Sequence, residues 1–259
     1  MNNNLPWKTA ITKIQPNEVR LRGYRLDELM GKVSFGQVVY LALKGELPAE
    51  NIGKLIDAML VSSIDHGATP PSTLSAITVA STGAPLNAAV AGGILAISRF
   101  HGGAIEDCMG VLLQTREKSL AKQISFSKAG EEIVEEYKAA GRRISGFGHR
   151  IHTEDPRTKK LFELSKEYGV KDTFIQISYA IESALEKQAG KKLPINVDGA
   201  IAAILCELEF SPKLANAFFI MARVPGLVAH IFEEQTRYKP MRTIDPKNHE
   251  YDGAKDRSL

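Results

Sequence analysis

Apolar residues recur every three or four positions along most of the chain, and this spacing predicts amphipathic helices. In AENIGKLIDAMLVSSIDHG, at 49–67, one helix face collects five apolar side chains: Ile52, Leu55, Ile56, Met59 and Leu60. Comparable patterns predict eight further helices, at 34–48, 70–82, 85–100, 130–143, 155–169, 172–190, 197–210 and 211–237. Alternating patterns are scarce, and NEVRLRGY at 17–24 is the best candidate for a strand. The sequence therefore predicts a mainly α-helical protein.

Two of these predicted helices have unusual compositions. The 85–100 segment is rich in Ala and Gly and apolar nearly all round, which predicts a buried helix in close contact with its neighbours. The 211–237 segment contains Pro225 and Gly226, which predict a kink or two separate helices. The longest apolar run that we identify, Ala84 to Ile97, is too short to span a membrane.

Composition and charge narrow the class of protein. The 259 residues are 44% hydrophobic and 24% charged, as in an ordinary globular cytosolic protein. A net charge of +3 is too small to indicate nucleic-acid binding, but it suits a protein that binds carboxylates or phosphates. Cys108 and Cys206 are far apart, and the first residues lack the apolar core of a signal peptide. We therefore expect a cytoplasmic protein with neither a nucleic-acid nor a membrane partner.

Histidines beside glycines are the first candidates for chemistry. His66 in IDHGATPPS, His101 in RFHGGAIED and His149 in GFGHRIH each lie at the boundary of an apolar helix, where glycine allows a ligand to approach closely. His149 and His152 are spaced i, i+3, but no third ligand accompanies them, so a metal site is not predicted. The phosphate-binding, dinucleotide-binding and serine-hydrolase motifs do not occur.

An aspartate and two arginines add to this set. Asp198 immediately precedes an apolar helix, so it is either an N-cap or a functional carboxylate. Arg223 lies between FFIMA and VPGLVAHIF, where a buried charge is costly unless it is paired. Its partner is either a protein carboxylate or a carboxylate of the substrate. Arg157, in DPR, is the second arginine of interest.

Six segments in a fixed order resemble the citrate synthase superfamily. They are LRGYRLDELMGKVSFGQVVYLALKGELP, DHGATPPSTLSAITVASTGAPLNAAVAGGILAI, FHGGAIEDCMGVL, GFGHRIHTEDPR, PINVDGAIAAIL and ARVPGLVAHIFEEQ, and together they cover nearly the whole chain. Only residues 49–64 separate GELP from DHG, whereas citrate synthases carry a much longer helical segment there. This compact form is similar to the citryl-CoA lyase module at the C-terminal end of ATP-citrate lyase and to its stand-alone relatives.

The resemblance implies a role for each matching residue. The catalytic positions match His101, His149 and Asp198, and the carboxylate-binding positions match His66, Arg157 and Arg223. Arg150 is assigned to carboxylate binding, although an ion pair with Glu154 would explain it equally well. An arginine from a neighbouring subunit, set in Arg-Pro-Arg in the family, is replaced here by Lys239 in TRYKPMRT, with Arg242 nearby. Coenzyme A is expected along four consecutive residues: Ser145, Gly146, Phe147 and Gly148.

The implied fold is multi-helical, with a large helical domain (1–138 and 197–259) and a small mobile lobe that binds coenzyme A (139–196). The implied reaction is retro-Claisen cleavage of (3S)-citryl-CoA to acetyl-CoA and oxaloacetate, without a metal or a nucleotide redox cofactor. His149 would take the hydroxyl proton, His101 would donate to the thioester oxygen, and Asp198 would protonate the released carbon. We also expect a homo-oligomer with active sites between subunits, and a separate citryl-CoA synthetase that supplies the substrate.

Three alternatives remain open at this stage. A compact citrate synthase would condense acetyl-CoA with oxaloacetate and hydrolyse citryl-CoA, using the same catalytic residues. A lyase of a related acyl-CoA would differ only in the acid it releases. A CoA-binding regulatory subunit without catalytic activity would belong to a different class of protein.

Overall fold

The computed structural model describes residues 7–148, 153–241, 252–253 and 255, and helices dominate this part of the chain. The helices are α1 (Leu26–Leu29), α2 (Phe35–Lys44), α3 (Glu50–Ser62), α4 (Pro71–Ser81), α5 (Leu86–Leu95), α6 (Ala104–Lys122), α7 (Phe126–Ala139), α8 (Pro156–Glu167), α9 (Thr173–Ala189), α10 (Val197–Glu207) and α11 (Ala215–Arg237). A short 3₁₀ turn, Pro212–Leu214, precedes α11. The prediction of a mainly α-helical fold is confirmed.

A small antiparallel sheet precedes the helices. It consists of β1 (Thr12–Gln15), β2 (Glu18–Leu21) and β3 (Tyr24–Arg25), in that spatial order. The strand predicted at 17–24 corresponds to β2 and the start of β3. The first strand was not predicted, because all four of its residues are exposed and provide no apolar alternation. Arg22 anchors the sheet to the helical body by donating two hydrogen bonds to the carbonyl of Ala42.

Local signals explain most of the helix boundaries. Helix α2 begins at a reciprocal capping box between Ser34 and Gln37 and ends at Gly45, whose φ of 90° suits glycine. Helix α7 begins at Phe126, four residues before the predicted start, because the Ser125 side chain caps it.

Two features of the helices differ from what the sequence indicated. The sequence analysis did not predict α6, although its buried residues Ile105, Cys108, Met109 and Leu112 have helical spacing. Helix α11 runs without interruption through Pro225, which excludes the predicted alternative of two separate helices, and the alternative of a kink stays a prediction.

Helix α10 lies at the centre of the main core. Nine of its residues are apolar or glycine and buried, and it packs against α6, α8 and α9. The same hydrophobic cluster extends through α2, α3, α7 and α11. Helix α7 packs along α9, so this core crosses the predicted boundary between residues 138 and 139. The division into a large domain and a lobe at 139–196 stays a prediction.

A second, smaller cluster joins α4, α5 and α11. Helix α5 packs closely on its neighbours as predicted, but the prediction that it is buried was wrong for part of its surface: Ala89 and Gly93 are buried, whereas Leu86 and Leu95 are 48% and 83% exposed. One face of α5 packs against α4 and α11, and the opposite apolar face is uncovered in the single chain.

One helical segment of the described chain, Pro212–Arg237, meets the length and hydropathy expected of a membrane span. It is longer than the apolar run identified from the sequence. Its buried residues Phe218, Leu227 and Ile231 belong to the two hydrophobic clusters, and it also carries Arg223 in the interior. A helix that packs into a protein core satisfies the same criteria.

Candidate active site

His101 is held in a tight turn directly before α6. Its backbone N–H and carbonyl both pair with Ser98, at 2.9 and 2.8 Å. Gly102 follows with φ +82°, and a Cβ there would lie 2.6 Å from the Phe219 ring, so only glycine fits. The ring of Phe219 also meets the imidazole edge-on, at 5.6 Å between centroids. The turn therefore fixes the imidazole at the N-terminal end of a helix.

The surroundings of His101 keep its imidazole neutral. Nε2 lies 2.8 Å from the hydroxyl of Ser72, a buried residue in the first turn of α4. Burial, assisted by the positive charge of Arg223 and by His66, lowers the pKa of His101 below its usual 6.5. A neutral imidazole at pH 7 can donate a hydrogen bond to a developing oxyanion.

Asp198 lies in the first turn of α10 and is not its N-cap. The Asn196 side chain caps this helix by accepting from the amides of Asp198 and Gly199, at 3.0 and 3.2 Å. The structure thus excludes the interpretation of Asp198 as an N-cap, and its carboxyl is available for other interactions.

The Asp198 carboxyl lies in an environment that favours its protonated form. Its Oδ1 is buried and has no hydrogen-bond partner among the residues that the structure describes. Burial raises the pKa of Asp198 to about 6, although the charges of Arg157 and Arg223 act to lower it. Such a carboxyl can hold or release a proton close to neutral pH.

Arg223 is the buried charge that the sequence singled out. The residue is 3% exposed, its Nε donates to the carbonyl of Ser63 at 3.1 Å, and its guanidinium stacks 4.7 Å from the Phe219 ring. Within residues 7–148 and 153–241 it forms no salt bridge, and its Nη1 is buried without a hydrogen-bond partner. Since an unpaired buried donor is costly, the geometry favours an anion bound from outside the chain over an internal ion pair.

Arg157 is held close to Asp198 by a carboxylate that the sequence analysis missed. Asp155 is the N-cap of α8, and its side chain accepts from Arg157 Nε and Nη2 at 3.0 and 2.9 Å. The same carboxylate accepts from the amide of Val197, at 3.2 Å, and so ties the start of α8 to the start of α10. The signal for Asp155 was present, since Asp followed by Pro is typical of an N-cap and first helical position.

His66 lies on the loop between α3 and α4, with an exposed side chain. Because His66 contributes to the lowered pKa of His101, the two imidazoles are near each other. The structure therefore brings five predicted residues into one cluster: His66, His101, Arg157, Asp198 and Arg223.

Lys239 does not join this cluster within the single chain. It follows the end of α11 and is exposed, and two residues later the amide of Met241 donates to the carbonyl of Ser81. Ser81 is at the far end of α4 from Ser72, about 14 Å along the helix axis. Three other predicted site residues, His149, Arg150 and Arg242, lie outside the described residues, and their roles stay predictions.

Residues 145–148 pack against the segment that leads into α10. Phe147 pairs with Ile195, and the Gly148 amide donates to the carbonyl of Pro194 at 2.7 Å. Gly146 has φ +87°, and a Cβ there would lie 2.5 Å from Cys108 Sγ, so close packing already requires this glycine. The assignment of Ser145, Gly146, Phe147 and Gly148 to coenzyme A binding stays a prediction.

In the described part of the chain, no group of three or more His, Cys, Asp or Glu side chains is arranged to hold a metal ion. The cluster contains two loop histidines, a protonatable aspartate and two arginines. These groups suit acid–base chemistry on a substrate with several carboxylates.

Residues 49–244 match the family described as "Citrate synthase, C-terminal domain". The chain belongs to the citrate synthase family, as the sequence motifs had indicated.

Individual relatives agree with this membership. The chain is 32% identical over 219 residues to a citrate synthase of Haloferax volcanii, covering 83% of this chain and 54% of that protein. It thus spans about half the length of this curated relative. The structure of citryl-CoA lyase from Hydrogenobacter thermophilus is 44% identical, with a TM-score of 0.88, and the match covers 98% of this chain and 97% of that chain.

A larger enzyme shares the fold. The structure of ATP citrate lyase from Methanothrix soehngenii in complex with citrate and coenzyme A matches with a TM-score of 0.86 and 22% identity. The match covers 98% of this chain and 43% of that chain, so the fold described here corresponds to a part of the larger protein.

Proposed function

We propose that this protein cleaves (3S)-citryl-CoA to acetyl-CoA and oxaloacetate. The observation that carries the proposal is the match to a citryl-CoA lyase at 44% identity and a TM-score of 0.88, set against 32% identity to a citrate synthase. The cluster around Asp198 supplies groups suited to this chemistry, since cleavage requires only proton transfers and stabilisation of an enolate. The expected sites for substrate carboxylates are His66, Arg157 and Arg223.

The proposed reaction begins with removal of the proton from the tertiary hydroxyl group, a role assigned to His149. The carbon–carbon bond then breaks, oxaloacetate forms at the hydroxyl carbon, and the electron pair passes to the acetyl thioester as an enolate. His101 stabilises the thioester oxygen by donating a hydrogen bond, a type of interaction worth about 10²–10³-fold in rate. Asp198 delivers a proton to the enolate carbon, which completes acetyl-CoA.

Two observations on the described residues support these roles. If the Ser72 hydroxyl donates to Nε2 of His101, the neutral imidazole carries its proton on Nδ1, which is then the donor to the thioester oxygen. The pKa of Asp198, raised by burial to about 6, allows its carboxyl to be protonated when the enolate forms.

The assembly and ligands of the active protein are part of the same proposal. We propose a homo-oligomer in which Lys239 or Arg242 reaches the site of a neighbouring subunit. The exposed apolar side chains of α5 support it, as does the contact of Met241 with Ser81, at the far end of α4 from the Ser72 that bonds to His101. Coenzyme A binds along 145–148, and the relative of known structure with bound coenzyme A supports a CoA ligand for this fold. A separate citryl-CoA synthetase supplies the substrate, and the protein acts in the cytoplasm.

A compact citrate synthase is the second candidate function, and the 32% identity to the Haloferax volcanii enzyme favours it. Both candidates use the same cluster, so product analysis has to separate them. Purified protein is mixed with (3S)-citryl-CoA, and acetyl-CoA, oxaloacetate, citrate and free CoA are quantified. Acetyl-CoA with oxaloacetate supports the lyase, whereas citrate with free CoA supports the synthase. Absence of turnover supports either a lyase of a related acyl-CoA or a non-catalytic CoA-binding subunit.

A further inference from the structure

The loop that carries His66 is docked on one face of α11. Residues 223, 226 and 230 of α11 project on the same side of the helix, because they are spaced i, i+3 and i+7. Three consecutive loop residues, Ser63, Ile64 and Asp65, lie against this face. Each of them meets a successive turn of the helix.

The docking consists of three specific contacts. Arg223 Nε donates to the carbonyl of Ser63 at 3.1 Å. The carbonyl of Ile64 lies so close to Gly226 that a Cβ on this glycine would be 2.3 Å from its oxygen. His230 Nε2 lies 3.0 Å from Asp65 Oδ1, and the His230 side chain is mostly buried. Of these α11 residues, Gly226 and His230 have no role in the proposed chemistry.

The Asp65 carboxylate also organises the loop around His66. Its Oδ2 accepts from the amide of Gly67 at 2.9 Å, and Gly67 adopts φ +78°. Burial opposes the charge, but hydrogen bonds from the Gly67 and His66 amides and from His230 outweigh it, and the pKa of Asp65 is lowered. One ionised carboxylate thus holds the backbone on both sides of His66 and bonds to α11 at the same time.

We infer that Asp65, Gly226 and His230 are positioning residues that set the location of His66 for binding the substrate's dicarboxylate portion. This inference rests on the proposed function, in which His66 binds a carboxylate of oxaloacetate. His66 lies on a loop, and the Asp65 carboxylate holds the amides of His66 and Gly67 in place there. Because this loop is docked on α11, the position of His66 depends on that of Arg223, the buried arginine proposed to bind the same part of the substrate.

The test compares two His230 variants in the full-length protein. His230→Phe keeps a ring of similar size but removes the donor to Asp65, whereas His230→Gln retains an N–H donor near the position of Nε2. We measure the equilibrium binding of oxaloacetate by calorimetry and the condensation of acetyl-CoA with oxaloacetate. In His230→Phe, the Kd and KM for oxaloacetate rise roughly 10-fold, while the KM for acetyl-CoA and kcat stay within about twofold. His230→Gln restores most of the affinity.

Gly226→Ala provides a second test that does not weaken the helix. Alanine favours an α-helix over glycine, but its Cβ cannot coexist with the present position of the Ile64 carbonyl. The loop must therefore move, and the affinity for oxaloacetate falls about as much as in His230→Phe.

The outcomes separate this inference from the proposed function. If the wild type binds oxaloacetate and turns over, but His230→Phe and Gly226→Ala bind oxaloacetate with wild-type affinity, the positioning role is wrong and the proposed function stands. An equal loss of affinity for acetyl-CoA and for oxaloacetate would also overturn the positioning role, because such a loss would indicate a general disruption of the site. If the wild type neither binds oxaloacetate nor reacts with citryl-CoA, the proposed function fails, and the role assigned to His66 fails with it.

Discussion

Asp198 illustrates a conflict between stability and function that can be measured directly. Its carboxyl is buried in a way that favours the neutral form, yet the proposed reaction requires it to exchange a proton. Asparagine has nearly the same shape and cannot ionise. We therefore predict that Asp198→Asn makes the folded protein more stable above about pH 4 while abolishing turnover.

The size of the effect follows from the pKa of Asp198, which rises from 3.8 to about 6. This rise in the pKa corresponds to about 3 kcal/mol of stability, since a tenfold change in an ionisation constant is worth about 1.36 kcal/mol. Because this pKa is higher in the folded protein than in the unfolded chain, the Asp198 carboxyl stabilises the fold fully below about pH 4. This stabilisation is lost as the pH rises through about 6. The amide side chain introduced by Asp198→Asn stays neutral, so the variant does not lose this contribution.

The assay is urea denaturation of wild type and Asp198→Asn across this pH window. The free energy of unfolding of the variant should exceed that of the wild type by about 1 kcal/mol at pH 4.5 and about 3 kcal/mol at pH 7.5. Asp155→Asn is the matched control, because Asp155 is a buried carboxylate whose pKa is lowered, despite burial, by hydrogen bonds from Arg157 and Val197. This variant should be less stable than wild type at neutral pH. Equal or lower stability of Asp198→Asn at pH 7.5 would refute the reasoning.

Three other substitutions test the roles of individual contacts. His101→Asn should lower kcat for citryl-CoA cleavage by about 10²–10³-fold with little change in KM, and a change confined to KM would exclude the donor role. Arg223→Leu should abolish thermal stabilisation by oxaloacetate, since the guanidinium proposed to bind its carboxylate is removed; retained stabilisation would count against a carboxylate site. Gly146→Ala should lower the free energy of unfolding by about 1–3 kcal/mol, because its Cβ would overlap Cys108 Sγ. Gly141→Ala is its control: φ is also positive there, but no atom lies within 4 Å of the added Cβ, so an equal loss would exclude the packing explanation.

The sequence was most informative where a residue type conflicted with its surroundings. Arg223 stood out because a charge inside an apolar helix requires a partner, and the structure leaves one of its donors buried and unpaired among the described residues. His66 and His101 stood out because each is next to glycine at a helix boundary. Such local conflicts can be read from a single sequence, and the structure brings these three residues together.

Other features depended on tertiary contacts that no local pattern encodes. The bonds of Ser72 to His101 and of His230 to Asp65 join residues 29 and 165 positions apart. The exposure of α5 also could not be predicted, because an apolar helix looks the same in sequence whether its own chain or a second copy covers it.

Asp198 lies between these two cases. Its position before an apolar helix fits an N-cap equally well, and only the bonds accepted by Asn196 show which residue caps α10. Asn196 is itself a preferred N-cap residue. The sequence therefore offered two residues, Asn196 and Asp198, that could each cap α10.

The most direct test of the account is the product of a single turnover on (3S)-citryl-CoA. Wild-type protein in excess over substrate is quenched at short times, and the thioester and acid products are separated and quantified. The account predicts equal amounts of acetyl-CoA and oxaloacetate in wild type and neither product in Asp198→Asn. Citrate with free CoA as the main products, or unchanged cleavage in Asp198→Asn, would contradict it.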